Sequence, residues 1–263
     1  MTTQEHIEYD DKFTAFLETV WGEGFLSPGG PQEVAKVLEG SDISGRRVLD
    51  IGCGVGGIDI LLVREFNAAS VVGIDVEEPV LAKSRKRAAL GGLAHRITYR
   101  LVEPGPLPFA HEVFGAVFSK DAMIHIPDKA ALFAEIFRVL KPGGIFIASD
   151  WMRRDAEPPS PEMIRYIESE GLSFDMAPPE YYAEALKKVG FRDIALKDRN
   201  AWYRELAQKE YSQIKGTLYR TLMECAGKPE TDRLLEVWRT MCVVLDSGEL
   251  RPGHMRAVKP TIA

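Results

Sequence analysis

Val48-Leu49-Asp50-Ile51-Gly52-Cys53-Gly54-Val55-Gly56-Gly57 decides how this chain folds. An apolar strand signal runs straight into a glycine-rich turn. Ile58, Leu61, Leu62 and Phe66 then recur at helical spacing. Such a turn leaves bare backbone at a helix N-terminus, where N–H groups without intrahelical partners point outward. Working outward, the same alternation repeats. SVVGID (70–75) precedes a helix opened by Glu77, Glu78 and Pro79. ITYRL (97–101) follows, then a Pro-rich loop, then VFGAVFS (113–119). The helix DKAALFAEIFRVL (128–140) stops at Lys141-Pro142-Gly143-Gly144, and IFIASD (145–150) closes the series. Strands alternating with helices predict an α/β fold with a doubly wound, mostly parallel seven-stranded sheet.

The flanks are less regular. Residues 10–40 predict a helix, a break at Ser27-Pro28-Gly29-Gly30 and a second helix through Val34, Val37 and Leu38. Residues 152–177 carry Pro158, Pro159 and Pro161 and predict a lid. Helix PEYYAEALKKVG (179–190) and strand FRDIALKDR (191–199) come next. Two longer helices are expected over about 201–246, and GHMRAVKP (253–260) reads as a final edge strand.

Composition narrows the function classes. The 263 residues are 45% hydrophobic and 27% charged, with a formal net charge of −6, so the chain offers no basic stripe for nucleic acid. Lys83, Arg85, Lys86 and Arg87 cluster on an expected helix and read as its solvated face. Cys53, Cys225 and Cys242 form no CxxC pair, and His6, His95, His111, His125 and His254 lack metal-ligand spacing. The first residues, MTTQEHIEYDDKF, are acidic and polar rather than secretory, and no apolar run nears the roughly 18 residues that span a bilayer. No membrane association is expected, and a reducing cytoplasm fits best.

The glycine turn suits a nucleoside ligand. Asp75, at the end of the second strand, is placed to accept hydrogen bonds from a ribose diol. Gly52-x-Gly54-x-x-Gly57 also matches the dinucleotide fingerprint, so a nicotinamide-dependent oxidoreductase stays open as a reading. Asp50 separates the two. A pyrophosphate has no use for a carboxylate beside the turn, whereas the cationic amino-acid tail of S-adenosyl-L-methionine does.

VLDIGCGVGG, GIDVEE and FRVLKPGG resemble the motifs of class I S-adenosylmethionine-dependent methyltransferases over roughly residues 25–150. The resemblance implies a single domain: an N-terminal helical lid (1–40), a cofactor-binding core (41–151), and a substrate lid with the last strands (152–263). It puts Gly52, Gly54, Asp75 and Val76 against the donor and Glu103 at the adenine amine, with Glu standing where Asp is more usual. Gly115 replaces an Asp common in the fourth strand.

Outside that core the chain is similar to the phosphoethanolamine N-methyltransferases. The similarity runs through WGEGFLSPGG (21–30), FSKDAMIHI (118–126), LKPGGIFIASDW (140–151) and AEALKKVGFRDIALKD (183–198). It implies a catalytic Tyr9–His125 dyad with Asp121 close by, and Leu26, Ser27, Ser119 and Lys120 at the donor. Glu8, Trp151 and Tyr166 then fall at acceptor positions. Only Tyr166 keeps a phosphate-lining residue type. Glu8 replaces a Gln, Trp151 a Tyr, Glu170 an Arg, Leu172 a Tyr and Met241 a Lys. Arg153, Arg165 or Arg256 could restore a cation from elsewhere.

The expected chemistry is transfer of a methyl group to a small-molecule acceptor, for which in-line positioning supplies much of the acceleration. An amine must shed a proton first, and a histidine with an ordinary pKa near 6.5 can take it. The expected product is S-adenosyl-L-homocysteine together with an N-methylated small amine, phosphoethanolamine or a relative. A glycine- or sarcosine-type amino acid, a thiol or a hydroxyl remains the alternative acceptor, because the core motifs do not separate them.

Overall fold

The computed structural model describes residues 9–261. Seven strands form one sheet, β1 (Arg47–Ile51), β2 (Ser70–Asp75), β3 (Ile97–Leu101), β4 (Phe114–Lys120), β5 (Leu140–Asp150), β6 (Arg192–Asp198) and β7 (Gly253–Val258), in the order β3-β2-β1-β4-β5-β7-β6. The first five strands pair in parallel, and β7 runs antiparallel to both β5 and β6. The order reverses between β1 and β4, and a crevice opens beyond their carboxyl ends, where open α/β sheets take their ligands.

Helices cover both faces. α2 (Gly30–Val37), α3 (Gly57–Arg64) and α4 (Glu78–Leu90) pack on one side over Val48, Val71, Phe118 and Ile147. On the other side, α5 (Lys129–Val139) and α7 (Pro179–Val189) pack over Leu49, Val117 and Phe146. The interior strands are buried on both faces, which is why β1 and β4 read as nearly unbroken apolar runs. In α5, Leu132, Phe133, Ile136 and Val139 share the buried stripe, and the Asp128 side chain caps the helix by accepting from the Ala131 N–H at 2.8 Å.

A third apolar cluster lies beyond the crevice. It joins α1 (Asp11–Trp21), α6 (Pro161–Glu170), α8 (Asn200–Lys215), α9 (Tyr219–Ala226) and α10 (Lys228–Asp246) through Phe16, Tyr166, Leu222 and Trp238. Three expectations need correcting here. Residues 201–246 hold three helices rather than two, because Gly216 and Gly227-Lys228-Pro229 each interrupt the run. The 152–177 stretch is not wholly irregular: Ser160 caps α6 and left-handed Gly171 ends it. Finally, β7 is interior, and the exposed, charge-bearing β6 forms the edge. The long helical excursion between β6 and β7 lets the last strand return and insert beside β5.

The segment joining α1 to α2 lies directly on the glycine turn. The Gly57 N–H donates to the Gly24 carbonyl at 3.2 Å, and a Cβ on Gly57 would come within 2.2 Å of that oxygen. Gly57→Ala should therefore push the segment joining α1 to α2 off the glycine turn and cost about 1–3 kcal/mol. Urea melts check this, and an unchanged midpoint would show that the contact is dispensable.

Candidate active site

The donor half of the crevice is built from three loops. Gly52 and Gly54 take positive φ angles of 73° and 51°, which lets β1 turn into α3 within a few residues. The Asp75 carboxylate sits across from this turn, accepting from the Gly54 N–H at 2.9 Å and the Glu77 N–H at 3.1 Å. Burial raises the Asp75 pKa, and those N–H groups oppose the rise. Beside it, Val76 and Leu101 leave apolar surface open at the strand ends, 56% and 45% exposed. Glu103 stands exposed on the loop after β3. Leu26 lies over the turn, 3.2 Å from where a Gly54 Cβ would project.

Asp50 is fully buried, and its Oδ2 has no hydrogen-bond partner. Desolvation, followed by the neighbouring Asp59 and Asp75 charges, pushes its carboxyl well up; Asp59, buried with it, rises to about 6. An orphaned carboxyl oxygen beside a glycine turn, a diol-sized acceptor at Asp75 and open apolar strand ends together fit a nucleoside bearing a cationic tail. A pyrophosphate would meet like charge there. Ser119 is also buried, and its hydroxyl donates to the Ile51 carbonyl at 2.9 Å, so it ties β4 to β1.

Gly115 is explained by packing. Arg46 lies across it, 3.1 Å from where a Cβ would stand, and donates to the Gly115 carbonyl at 2.9 Å. A side chain at this position would displace Arg46.

Lys120 and Asp121 join the two halves. The buried Lys120 ammonium donates to Asp121 Oδ2 at 2.6 Å and to Ser27 Oγ at 2.8 Å. Asp121, in the left-handed region at φ 58°, also accepts from the Ser149 hydroxyl at 2.8 Å. Its charge is thus matched within the protein.

The acceptor half is a small cavity lined mostly by aromatic and apolar side chains. Tyr9, Asp121, His125, Trp151 and Tyr166 all line it, so five of the expected acceptor-side residues meet in one place. Glu8 lies outside the described residues. Tyr9 and His125 stand edge to face, ring centroids 6.4 Å apart. The Tyr9 N–H donates to Glu77 Oε2 at 3.0 Å, which ties the chain's start to the donor loop. His125 Nδ1 lies 3.0 Å from the Ser173 carbonyl. A carbonyl can only accept, so Nδ1 carries the proton and the basic lone pair belongs to Nε2.

The single helical turn bearing His125 (Met123–His125) is anchored from below. Its Ile124 N–H donates to Asp150 Oδ1 at 3.0 Å, and the Tyr182 hydroxyl donates to Asp150 Oδ2 at 2.5 Å. Burial pushes Asp150 up to about 7, with the Tyr182 hydrogen bond opposing. The buried Lys129 ammonium donates to the Ile126 carbonyl at 3.1 Å from the other side.

Sequence reasoning missed Asp150 and Tyr182, which carry no motif, did not single out Phe174 or Trp238, and gave Trp21 no place in the cavity. Met241 and Glu170, reached by alignment, do line the cavity. Arg153, Arg165 and Arg256 do not, and among the described residues no Lys or Arg lines it. Arg165 is exposed and paired with Glu162, while Arg153 donates to the Glu157 carbonyl. The expected compensating cation is not in the cavity wall.

Four buried or half-buried carboxyls share one direction of shift. Desolvation is the largest cause for each of Asp59 (about 6), Asp150, Glu170 and Glu210 (each about 7). The folded chain keeps protons that the unfolded chain releases near pH 4, so stability should fall as pH rises from about 4 to 7 and level off above. Asp150→Asn removes one such proton and should flatten that fall. Urea melts between pH 5 and pH 8 check it; stability rising over this range would contradict the assignment.

The comparisons agree with this geometry. A family model described as a methyltransferase domain matches residues 42–209. Phosphoethanolamine N-methyltransferase 1 of Arabidopsis thaliana is 29% identical over 256 residues, 97% of this chain and 51% of its own length. A sterol 24-C-methyltransferase of Aspergillus fumigatus is 35% identical over 174 residues, 62% of this chain and 46% of its own. Phosphoethanolamine N-methyltransferase 2 of Haemonchus contortus, solved with phosphomonomethylethanolamine and S-adenosylhomocysteine, superposes with a TM-score of 0.88 at 28% identity. That match covers 97% of this chain and 58% of that one. The chain spans about half the length of these curated relatives. No helix among the described residues is long and apolar enough to cross a membrane. The nicotinamide reading falls away, and the chain belongs to the methyltransferase-domain family as a class I S-adenosylmethionine-dependent methyltransferase.

Proposed function

We propose that this enzyme N-methylates a small amine that carries no phosphate. The observation that carries the reading is His125 in the cavity wall, its Nδ1 on the Ser173 carbonyl, beside Tyr9 and Asp121. When bound, the donor supplies a sulfonium methyl: the acceptor nitrogen's lone pair forms the N–C bond as the S–C bond breaks onto sulfur. His125 Nε2 takes the ammonium proton before attack, directly or through one water. Asp75 holds the ribose diol, and the Asp50 carboxyl lies beneath the glycine turn, where it attracts the donor's ammonium. Gly52 and Gly54 give the donor bare backbone, with Leu26, Ser27, Val76 and Lys120 closing around it and Glu103 at the adenine. Tyr9 closes over the acceptor while Trp151 and Tyr166 flank it.

The absence of phosphate follows from the lining. A dianion needs cationic or N–H donors, whereas the wall offers Asp121, Glu170 and aromatic rings. Two cations that bond lining residues are engaged: Lys120 with Asp121 and Ser27, and Arg233, which donates to the Glu170 carbonyl, with Glu230 at 2.7 Å.

The test is methyl transfer from radiolabelled donor to ethanolamine, phosphoethanolamine, glycine, a thiol and an unsaturated sterol, assayed side by side. Amines without phosphate should be labelled fastest. Label confined to the sterol or to phosphoethanolamine would overturn the reading. Asp75→Ala should weaken donor binding by about tenfold or more, since it removes a charge-assisted hydrogen-bond acceptor; calorimetry measures this. His125→Ala should lower kcat by about 10²–10⁴ while donor affinity stays near wild type. Normal turnover would return His125 to a structural role.

A further inference from the structure

The acceptor cavity has a second recognition end, away from His125. Phe174 lies 5.6 Å from the His125 ring, and Tyr166 lies 6.1 Å from Phe174, centroid to centroid. The Tyr166 hydroxyl hydrogen-bonds the Glu170 carboxyl, so Glu170 stands two ring contacts from the base. Trp151 and Trp238 also line the cavity. The Trp21 and Trp238 N–H groups are spent on Glu210, at 2.9 and 3.0 Å, which leaves those indoles no donor for a ligand. Arg233, behind Glu170, is bound bidentately to Glu230 and donates to the Ser169 and Glu170 carbonyls at 2.9 and 3.0 Å. It buttresses the end of α6 and does not cancel the carboxyl through a direct hydrogen bond.

Aromatic faces with one carboxyl among them recognise a desolvated cation. We infer that the acceptor is a small diamine, one nitrogen presented to His125 and a second ammonium held in the Tyr166, Phe174 and Trp238 cage against Glu170. This deepens the amine reading and rests on it. It also bears on the amino-acid alternative, since a glycine-type carboxylate at this end would be set against the Glu170 carboxyl. Glu170 is pushed up to about 7 chiefly by burial, and an ammonium beside it favours the ionised form. Its part is selection of the acceptor; the methyl transfer itself occurs at the other end.

The experiment compares 1,4-diaminobutane with n-butylamine, using labelled donor on the wild-type protein and on Glu170→Gln. The wild type should prefer the diamine by at least about tenfold in kcat/KM. Glu170→Gln should erase that preference by raising KM for the diamine, with the donor Kd within about twofold of wild type. A wild-type protein that methylates both amines equally overturns the inference and leaves amine methylation standing. So does a Glu170→Gln protein that keeps the full preference. A protein that binds donor yet labels neither amine overturns both. The wild-type ratio needs no variant, so a Glu170→Gln protein that fails to fold does not spare the idea.

Discussion

The turn after Ile51 is the constraint from which the rest follows. β1 must hand its chain to α3 within a few residues while its backbone stays bare, so Gly52 and Gly54 enter the left-handed region. That geometry turns the Gly54 N–H toward Asp75 and fixes the carboxylate of β2 beside the switch point of the sheet. It also leaves no room above Gly57, where the Gly24 carbonyl lies in contact. The N-terminal helix pair is thereby seated by the same residues that shape the donor cleft.

Charge is handled differently in the two halves. At the donor end, carboxyls are crowded together and desolvated, which keeps Asp50 and Asp59 prone to hold protons until a cation arrives. At the acceptor end, the strong donors are already committed. Lys120 is locked onto Asp121 and Ser27, Arg233 onto Glu230, and the Trp21 and Trp238 N–H groups onto Glu210. What remains on the wall is π surface and carboxyl oxygen. Such a surface can bind a cation and exclude water, but it has little with which to bind a dianion.

The sequence showed the core of the fold because local and global signals agree there. Strand periodicity, glycine turn, Asp75 and the Asp128 cap all point to one arrangement. Its failures have physical causes. GHMRAVKP read as an edge strand, yet Met255 and Ala257 are buried between neighbours; β6, with Arg192, Asp193, Lys197 and Asp198, carried the edge signal. The helices of 201–246 were undercounted because Gly216 and Gly227 each break a pattern that looks continuous. In the site, the resemblance grouped Tyr9, Asp121 and His125, and the fold places all three in one cavity wall. Asp150 was invisible, since an Asp closing a strand looks ordinary until the Ile124 N–H and the Tyr182 hydroxyl are seen to converge on it.

Those two hydrogen bonds hold in place the histidine proposed above as the base. A three-residue turn has almost no stiffness of its own. Here it is held by Asp150 beneath, by the Ser173 carbonyl at the ring and by Lys129 at its exit. Tyr9 meets the same ring, and its backbone is tied to Glu77, whose own N–H binds Asp75. Two residues, Asp75 and Glu77, therefore set both the ribose-facing carboxylate and the approach of Tyr9 to His125. Donor cleft and acceptor lid share one short piece of backbone, so on the proposed reading the arrangement that receives the nucleoside also aligns the ring that takes the proton.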